Sequence, residues 1–166
     1  SAGADTILAG LGVDSVTGGD GDDTISGGGG LDKLTGGNGA DTFVYTQLTD
    51  GIVGGTTSAR TFEKITGFTV GLDRFDVTMA PTSASFRQLG ALSGLTNAAL
   101  ASLLSSSNFV ANGAATFTYG SGTGLRTFLA FNDGSAGFSA TADAVLEITG
   151  YGYAAGFSSL AQISIV

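Results

Sequence analysis

Residues 18–44 read GGDGDDTIS, GGGGLDKLT and GGNGADTFV, three nine-residue units in tandem. Each unit has Gly at its first, second and fourth positions, Asp at the sixth and an apolar residue at the eighth. The frame extends backwards. Residues 9–17 (AGLGVDSVT) keep Gly10, Gly12, Asp14 and Val16, with Ala9 in place of the first Gly. Residues 3–8 (GADTIL) are the tail of one more unit, with Asp5 and Ile7 in register. The chain thus opens inside an array, and the pattern leads us to expect further units upstream. A Gly-rich flexible linker has no reason to place an aliphatic residue or Phe at every eighth position.

The 166 residues suit one domain, or two small ones sharing a core. Gly reaches 29 residues while only 12% are charged, a balance that usually means a linker unless the Gly is periodic, as it is here. Net charge is −8, and seven Asp against one Lys lie before residue 45. Such a segment repels nucleic acid and anionic membrane surfaces and attracts cations. The absence of Cys and His removes disulfides, thiol chemistry, ordinary zinc sites and His-based acid/base catalysis. No apolar run approaches the roughly 20 residues that span a bilayer, so membrane insertion is not expected.

Glycines at positions one, two and four admit φ > 0 and close backbone approach, which allows a tight turn over the first six residues. The last three positions are short β segments. Side chains alternate along a strand, so Ile7, Val16, Ile25, Leu34 and Phe43 should share one interior. Two units reverse the chain twice and complete a coil of 18 residues. Coils then stack as parallel strands about 4.8 Å apart. Asp5, Asp23 and Asp41 should line one edge, and Asp14 and Asp32 the other. Calcium takes about six to eight oxygens at roughly 2.3–2.6 Å, so an ion fits between adjacent coils, whereas magnesium prefers a smaller shell and keeps its waters. The pairs Asp5/Asp23, Asp23/Asp41 and Asp14/Asp32 give three expected sites. Turn carbonyls at Gly10, Gly12, Gly19, Gly21, Gly28, Gly30, Gly37 and Gly39 would complete the shells.

The unit matches G-G-x-G-x-D-x-U-x and resembles the nonapeptide of the RTX (repeats-in-toxin) family, whose units form a calcium-bound parallel β-roll. The resemblance covers residues 3–44. It implies Ca2+ as the bound ion and an all-β fold, a β-roll over residues 1–46. We expect residues 47–166 to continue it as a mostly antiparallel β cap with one short helix, packed with the roll as one unit. Residues 61–78 (TFEKITGFTVGLDRFDVT) give two strand-like pieces around a turn at 70–73. They resemble the segment that follows the roll in many secreted RTX proteins, where a G-x-D-x-h-D-h string caps the last coil. That string makes Asp73 and Asp76 candidates for a further calcium site, with Glu63 beside them; the alternative is a solvated turn.

Beyond Pro81, residues 97–106 (NAALASLLSS) have helical apolar spacing, with Thr96 as N-cap. Leu100, Leu103 and Leu104 should pack on the sheet. Residues 114–119 and 125–131 read as a hairpin, Asn132-Asp133-Gly134 as a hairpin-type turn, and 142–150 as a strand with Ala144, Leu146 and Ile148 on one face. Asp133 and Asp143 are weaker candidates for calcium. A last apolar strand is expected over 163–166.

Residues 128–151 and the final SLAQISIV are similar to the C-termini of large secreted bacterial RTX proteins, which carry an uncleaved signal read by type I secretion machinery. The resemblance therefore implies a non-catalytic, extracellular module for calcium-dependent folding and type I secretion at the C-terminus of a larger protein. Two alternatives stand beside it. One is a calcium-mediated adhesin or surface-layer assembly module with self-association or a cell-surface partner. The other is an accessory module of a secreted enzyme whose active site lies upstream. Neither H-E-x-x-H nor G-x-S-x-G occurs here. With five basic residues after residue 44, no cationic stripe for gripping an anionic polymer is legible.

Overall fold

A computed structural model describes residues 1–51, 54–56, 59–79, 81–82, 84–149 and 165. The nine-residue period becomes alternating strands: β1 (Thr6–Gly12), β2 (Ser15–Asp20), β3 (Thr24–Gly30), β4 (Lys33–Asn38) and β5 (Thr42–Tyr45). The odd strands stack in one parallel sheet, with Thr6 opposite Thr24 and Thr24 opposite Thr42. The even strands stack in the other, with Ser15 opposite Lys33. Each step is 18 residues, the coil length that the sequence demands. Ile25, Leu34 and Phe43 point between the sheets and are buried, with Val16 nearly so. Ile7, on edge strand β1, is half-buried against the same core.

The stacking continues beyond the nonapeptides. After a small antiparallel pair, β6 (Gly54–Thr56) and β7 (Ala59–Thr61), strand β8 (Glu63–Thr66) adds in parallel to β4. β9 (Arg74–Val77) then adds in parallel to β5 and completes a four-stranded sheet ordered β1-β3-β5-β9. Ile65 and Phe75 thereby extend the two inward apolar rows. Phe43, Phe68 and Phe75 pack together, the last two stacked with centroids 4.9 Å apart.

The second sheet widens into the cap. Its order is β10 (Phe86–Ala91), β11 (Ala114–Tyr119), β12 (Arg126–Phe131), β13 (Ala144–Thr149), then β8, β4 and β2. The β11–β12 and β12–β13 pairs are antiparallel, while β10–β11 and β13–β8 are parallel. Ala144, Leu146 and Ile148 face the roll's core, as their alternation requires. On the opposite face, Val145, Phe117 and Phe128 form a second core with Leu100 and Leu104 around the helix α1 (Asn97–Leu103). Thr96 caps that helix by accepting the Ala99 N–H at 3.1 Å. Each buried leucine contributes about 1.5–3 kcal/mol, which outweighs the marginal intrinsic stability of a seven-residue helix.

Two local expectations need correction. Asn132-Asp133-Gly134 does not form a tight hairpin, because residues 132–143 make a wider loop between β12 and β13. A type I′ turn needs φ > 0 at both central residues, and Asn112 alone among the described non-glycine residues has positive φ. Asp143 shapes the loop instead, accepting N–H groups from Asp133 at 2.9 Å and Ser139 at 2.6 Å. The strand expected at 163–166 lies outside the described residues except for Ile165, which bridges in parallel to Phe75.

Candidate metal centre

The glycines of the units divide into two classes. At the second and fourth positions φ is positive, from +83° at Gly28 to +152° at Gly30. These turns stack directly: a Cβ on Gly37 would collide with the carbonyl of Gly19, 2.9 Å from its carbon. The first-position glycines have no such φ, contrary to the expectation that all three permit left-handed turns. Their role is to leave room for a carboxylate. A Cβ on Gly36 would collide with Asp41 Oδ2 and lie 2.6 Å from its Cγ. Gly27 and Gly18 stand in the same relation to Asp32 and Asp23.

Those carboxylates form two ladders. Asp5 N–H donates to Asp23 Oδ1 at 2.9 Å, Asp23 N–H to Asp41 Oδ1 at 3.0 Å, and Asp41 N–H to Asp73 Oδ1 at 2.9 Å. On the other edge Asp14 N–H donates to Asp32 Oδ1 at 2.8 Å. One oxygen of Asp23, Asp32 and Asp41 thus ties neighbouring coils together. Their Oδ2 atoms, and that of Asp14, are buried without a hydrogen-bond partner. Buried polar atoms are normally satisfied, and an orphaned carboxylate oxygen is costly. Burial, partly offset by the backbone hydrogen bond, raises the pKa of Asp32 and Asp41. A divalent cation remedies both faults, supplying a partner to each orphaned oxygen and offsetting the repulsion. The residues present therefore fit calcium, whose hard, oxygen-only shell matches carboxylates plus turn carbonyls. Among the described residues no three or more acidic side chains form a ready cage, so backbone carbonyls must complete each shell.

The other sequence candidates behave differently. Asp73 extends the ladder of Asp5, Asp23 and Asp41, but both its oxygens accept backbone N–H groups, from Asp41 and from Thr69 at 2.6 Å. Asp76 is exposed on β9 opposite Val44. Asp143 repeats the arrangement of Asp73, down to the N–H four residues earlier, and Gly67-Phe68-Thr69 recurs as Gly137-Phe138-Ser139. Burial raises the pKa of both aspartates, against these hydrogen bonds.

Glu63 stood only beside the sequence candidates Asp73 and Asp76, and its partner Tyr45 was not among them. Glu63 follows Asp32 on the even ladder, since Lys33 is opposite Lys64. Its side chain is fully buried, with Oε1 accepting the Tyr45 hydroxyl and Oε2 unpartnered. The signal was present: Asp32-Lys33-Leu34-Thr35 recurs as Glu63-Lys64-Ile65-Thr66. Three of the six basic residues also gather on the outer face of the seven-stranded sheet. Lys33 is opposite Lys64, and Glu147 binds Arg126 and lies 4.0 Å from Lys64.

Known proteins carry the same repeat. Residues 1–34 and 17–46 match the model of the RTX calcium-binding nonapeptide repeat (four copies). The repeats of this chain are calcium-binding RTX repeats, folded as a parallel β-roll. Of solved structures, the AlgE6R3 subunit of the Azotobacter vinelandii mannuronan C5-epimerase is similar over 100% of this chain and 79% of its own, with 22% identity and a TM-score of 0.51. That likeness speaks to the fold. No curated protein matches the chain. Among the described residues no helix is long and apolar enough to cross a membrane.

Proposed function

We propose that the chain is a non-catalytic module whose folding is switched on by calcium, at the C-terminus of an extracellular bacterial protein exported by type I secretion. The observation that carries the reading is the set of four buried, unpartnered Asp Oδ2 atoms repeated along the roll. Without an ion these groups oppose folding; with one they favour it. Extracellular calcium modules bind with Kd of roughly 10⁻⁴–10⁻³ M, far above cytosolic free calcium. At an illustrative 100-fold excess over Kd each ion adds about 2.7 kcal/mol, so three add about 8, comparable to a domain's whole stability of ~5–15 kcal/mol. The chain would stay extended inside the cell, suited to threading through an export channel, and fold outside.

In this reading residues 1–46 bind calcium, while residues 47–166 close the roll and carry the export signal. The test is a calcium titration followed by circular dichroism, paired with an export assay of a chain lacking the last ~60 residues. Loss of β signal on chelation, and loss of export on deletion, are the expected results. Unchanged β signal without calcium overturns the switch; continued export places the signal elsewhere.

A further inference from the structure

The even ladder ends on an anomaly. Glu63 occupies the rung after Asp32 and faces inward with Ile65 and Leu146. It is 0% exposed and Asp32 is 2% exposed. Each carboxylate spends one oxygen on a hydrogen bond, Asp32 Oδ1 to the Asp14 N–H and Glu63 Oε1 to the Tyr45 hydroxyl, which reaches across the roll from β5. Each leaves its other oxygen buried and unpartnered. Asp50, in the short 3-10 turn Leu48–Gly51, adds a third negative charge that both carboxyls feel. The neighbouring cation Lys64 does not relieve them, because it lies near Glu147 on the opposite face. Two carboxylates on adjacent rungs with orphaned oxygens need either a proton or a cation.

We infer that Asp32 Oδ2 and Glu63 Oε2 hold a further calcium ion at the junction between the repeats and the cap, with Tyr45 as the residue that positions Glu63. The proposal takes from the preceding reading only that Asp32 serves as a calcium ligand. Glutamate suits this rung because its longer arm reaches the Tyr45 hydroxyl while keeping one oxygen for the ion. The site joins two parts of the chain. Asp32 belongs to the repeats, whereas Glu63 begins β8, which carries β13 and through it the rest of the cap sheet. An ion here couples folding of the cap to loading of the roll.

Tyr45 makes the site spectroscopically distinct, since the chain contains no Trp and Tyr45 is the sole Tyr within the first 118 residues. Terbium replaces calcium at oxygen sites and is sensitised by a tyrosine only at very short range. The experiment loads the full chain with terbium, excites tyrosine, and counts calcium separately by equilibrium dialysis, for the parent, Glu63→Gln and Tyr45→Phe. We expect sensitised emission from the parent, its loss in Tyr45→Phe, at least a tenfold reduction in Glu63→Gln, and one fewer calcium in Glu63→Gln. A parent that binds calcium but shows no sensitised emission overturns this site and leaves the repeat sites standing. So does Glu63→Gln with the parent's calcium count and emission. A parent that binds no calcium overturns both readings. If Glu63→Gln does not fold, the parent and Tyr45→Phe decide: emission that survives in Tyr45→Phe arises elsewhere and overturns the assignment.

Discussion

Replacing Gly36 by Ala adds one methyl group at a confined point of the roll, against the Asp41 carboxylate. The new Cβ would collide with Asp41 Oδ2 and sit 2.6 Å from Cγ and 2.8 Å from Cβ of Asp41. No left-handed φ is imposed at Gly36, so backbone strain is not the issue. The carboxylate must move, which loses its bond from the Asp23 N–H and takes Oδ2 out of position for calcium. A hydrogen bond to a charged group contributes about 1.5–3 kcal/mol. Loss of one ion removes about 2.7 kcal/mol more at 100-fold excess over Kd. The expected cost is therefore about 4–6 kcal/mol in saturating calcium, a large share of a typical domain's stability. Gly90→Ala is the control, since a Cβ there meets nothing within 4 Å. Urea unfolding in saturating calcium, with an ion count on each folded variant, measures both effects. A Gly36→Ala chain that binds as many ions as the parent, with an unfolding midpoint no lower than that of Gly90→Ala, would refute the assignment of first-position glycines to carboxylate clearance.

Other perturbations separate the parts of the account. Asp23→Ala should weaken two sites, because Asp23 lies between Asp5 and Asp41 on its ladder, while Asp14→Ala should weaken one; equal loss of bound ions would contradict the 18-residue coil. In the calcium-free chain, pH should act through the raised pKa of Glu63, with Asp32, Asp41, Asp73 and Asp143 shifted in the same direction. A raised carboxyl pKa means that the folded state holds more protons, so its contribution is fully present below the unfolded value near 4.5 and is lost as pH rises through about 8. Residual β signal without calcium should thus grow on acidification from pH ~8.5 to ~5, less so in Glu63→Gln; growth in the opposite direction would contradict the buried state of these groups. In the cap, Leu100→Ala should cost about 2–5 kcal/mol by opening a cavity in the second core, with the repeat ions still bound.

The roll was legible because its signal is periodic. A nine-residue spacing of Asp and an inward apolar residue dictates both coil length and carboxylate ladders, and the register of Thr6, Thr24 and Thr42 follows directly. The helix was legible from Thr96 and three leucines. Legibility faded where one residue served a different purpose from its neighbours. First-position glycines look like the other turn glycines in sequence, yet they give space to a carboxylate rather than a left-handed φ. Glu63 was hard to weigh because an insertion separates it from the repeats, and its partner Tyr45 is 18 residues away on the opposite sheet. The turn at Asn132-Asp133 was misread because Asp143, ten residues on, organises the loop through backbone N–H groups. Such closure depends on tertiary placement rather than on turn composition.

The most direct test of the central claim is the number of calcium ions bound by the folded chain, measured by equilibrium dialysis alongside its β signal. Pairing along the two repeat ladders predicts three ions, with a fourth at the Asp32–Glu63 rung, and β structure that appears as they bind. A chain that acquires its full β signal with no calcium bound would contradict the account.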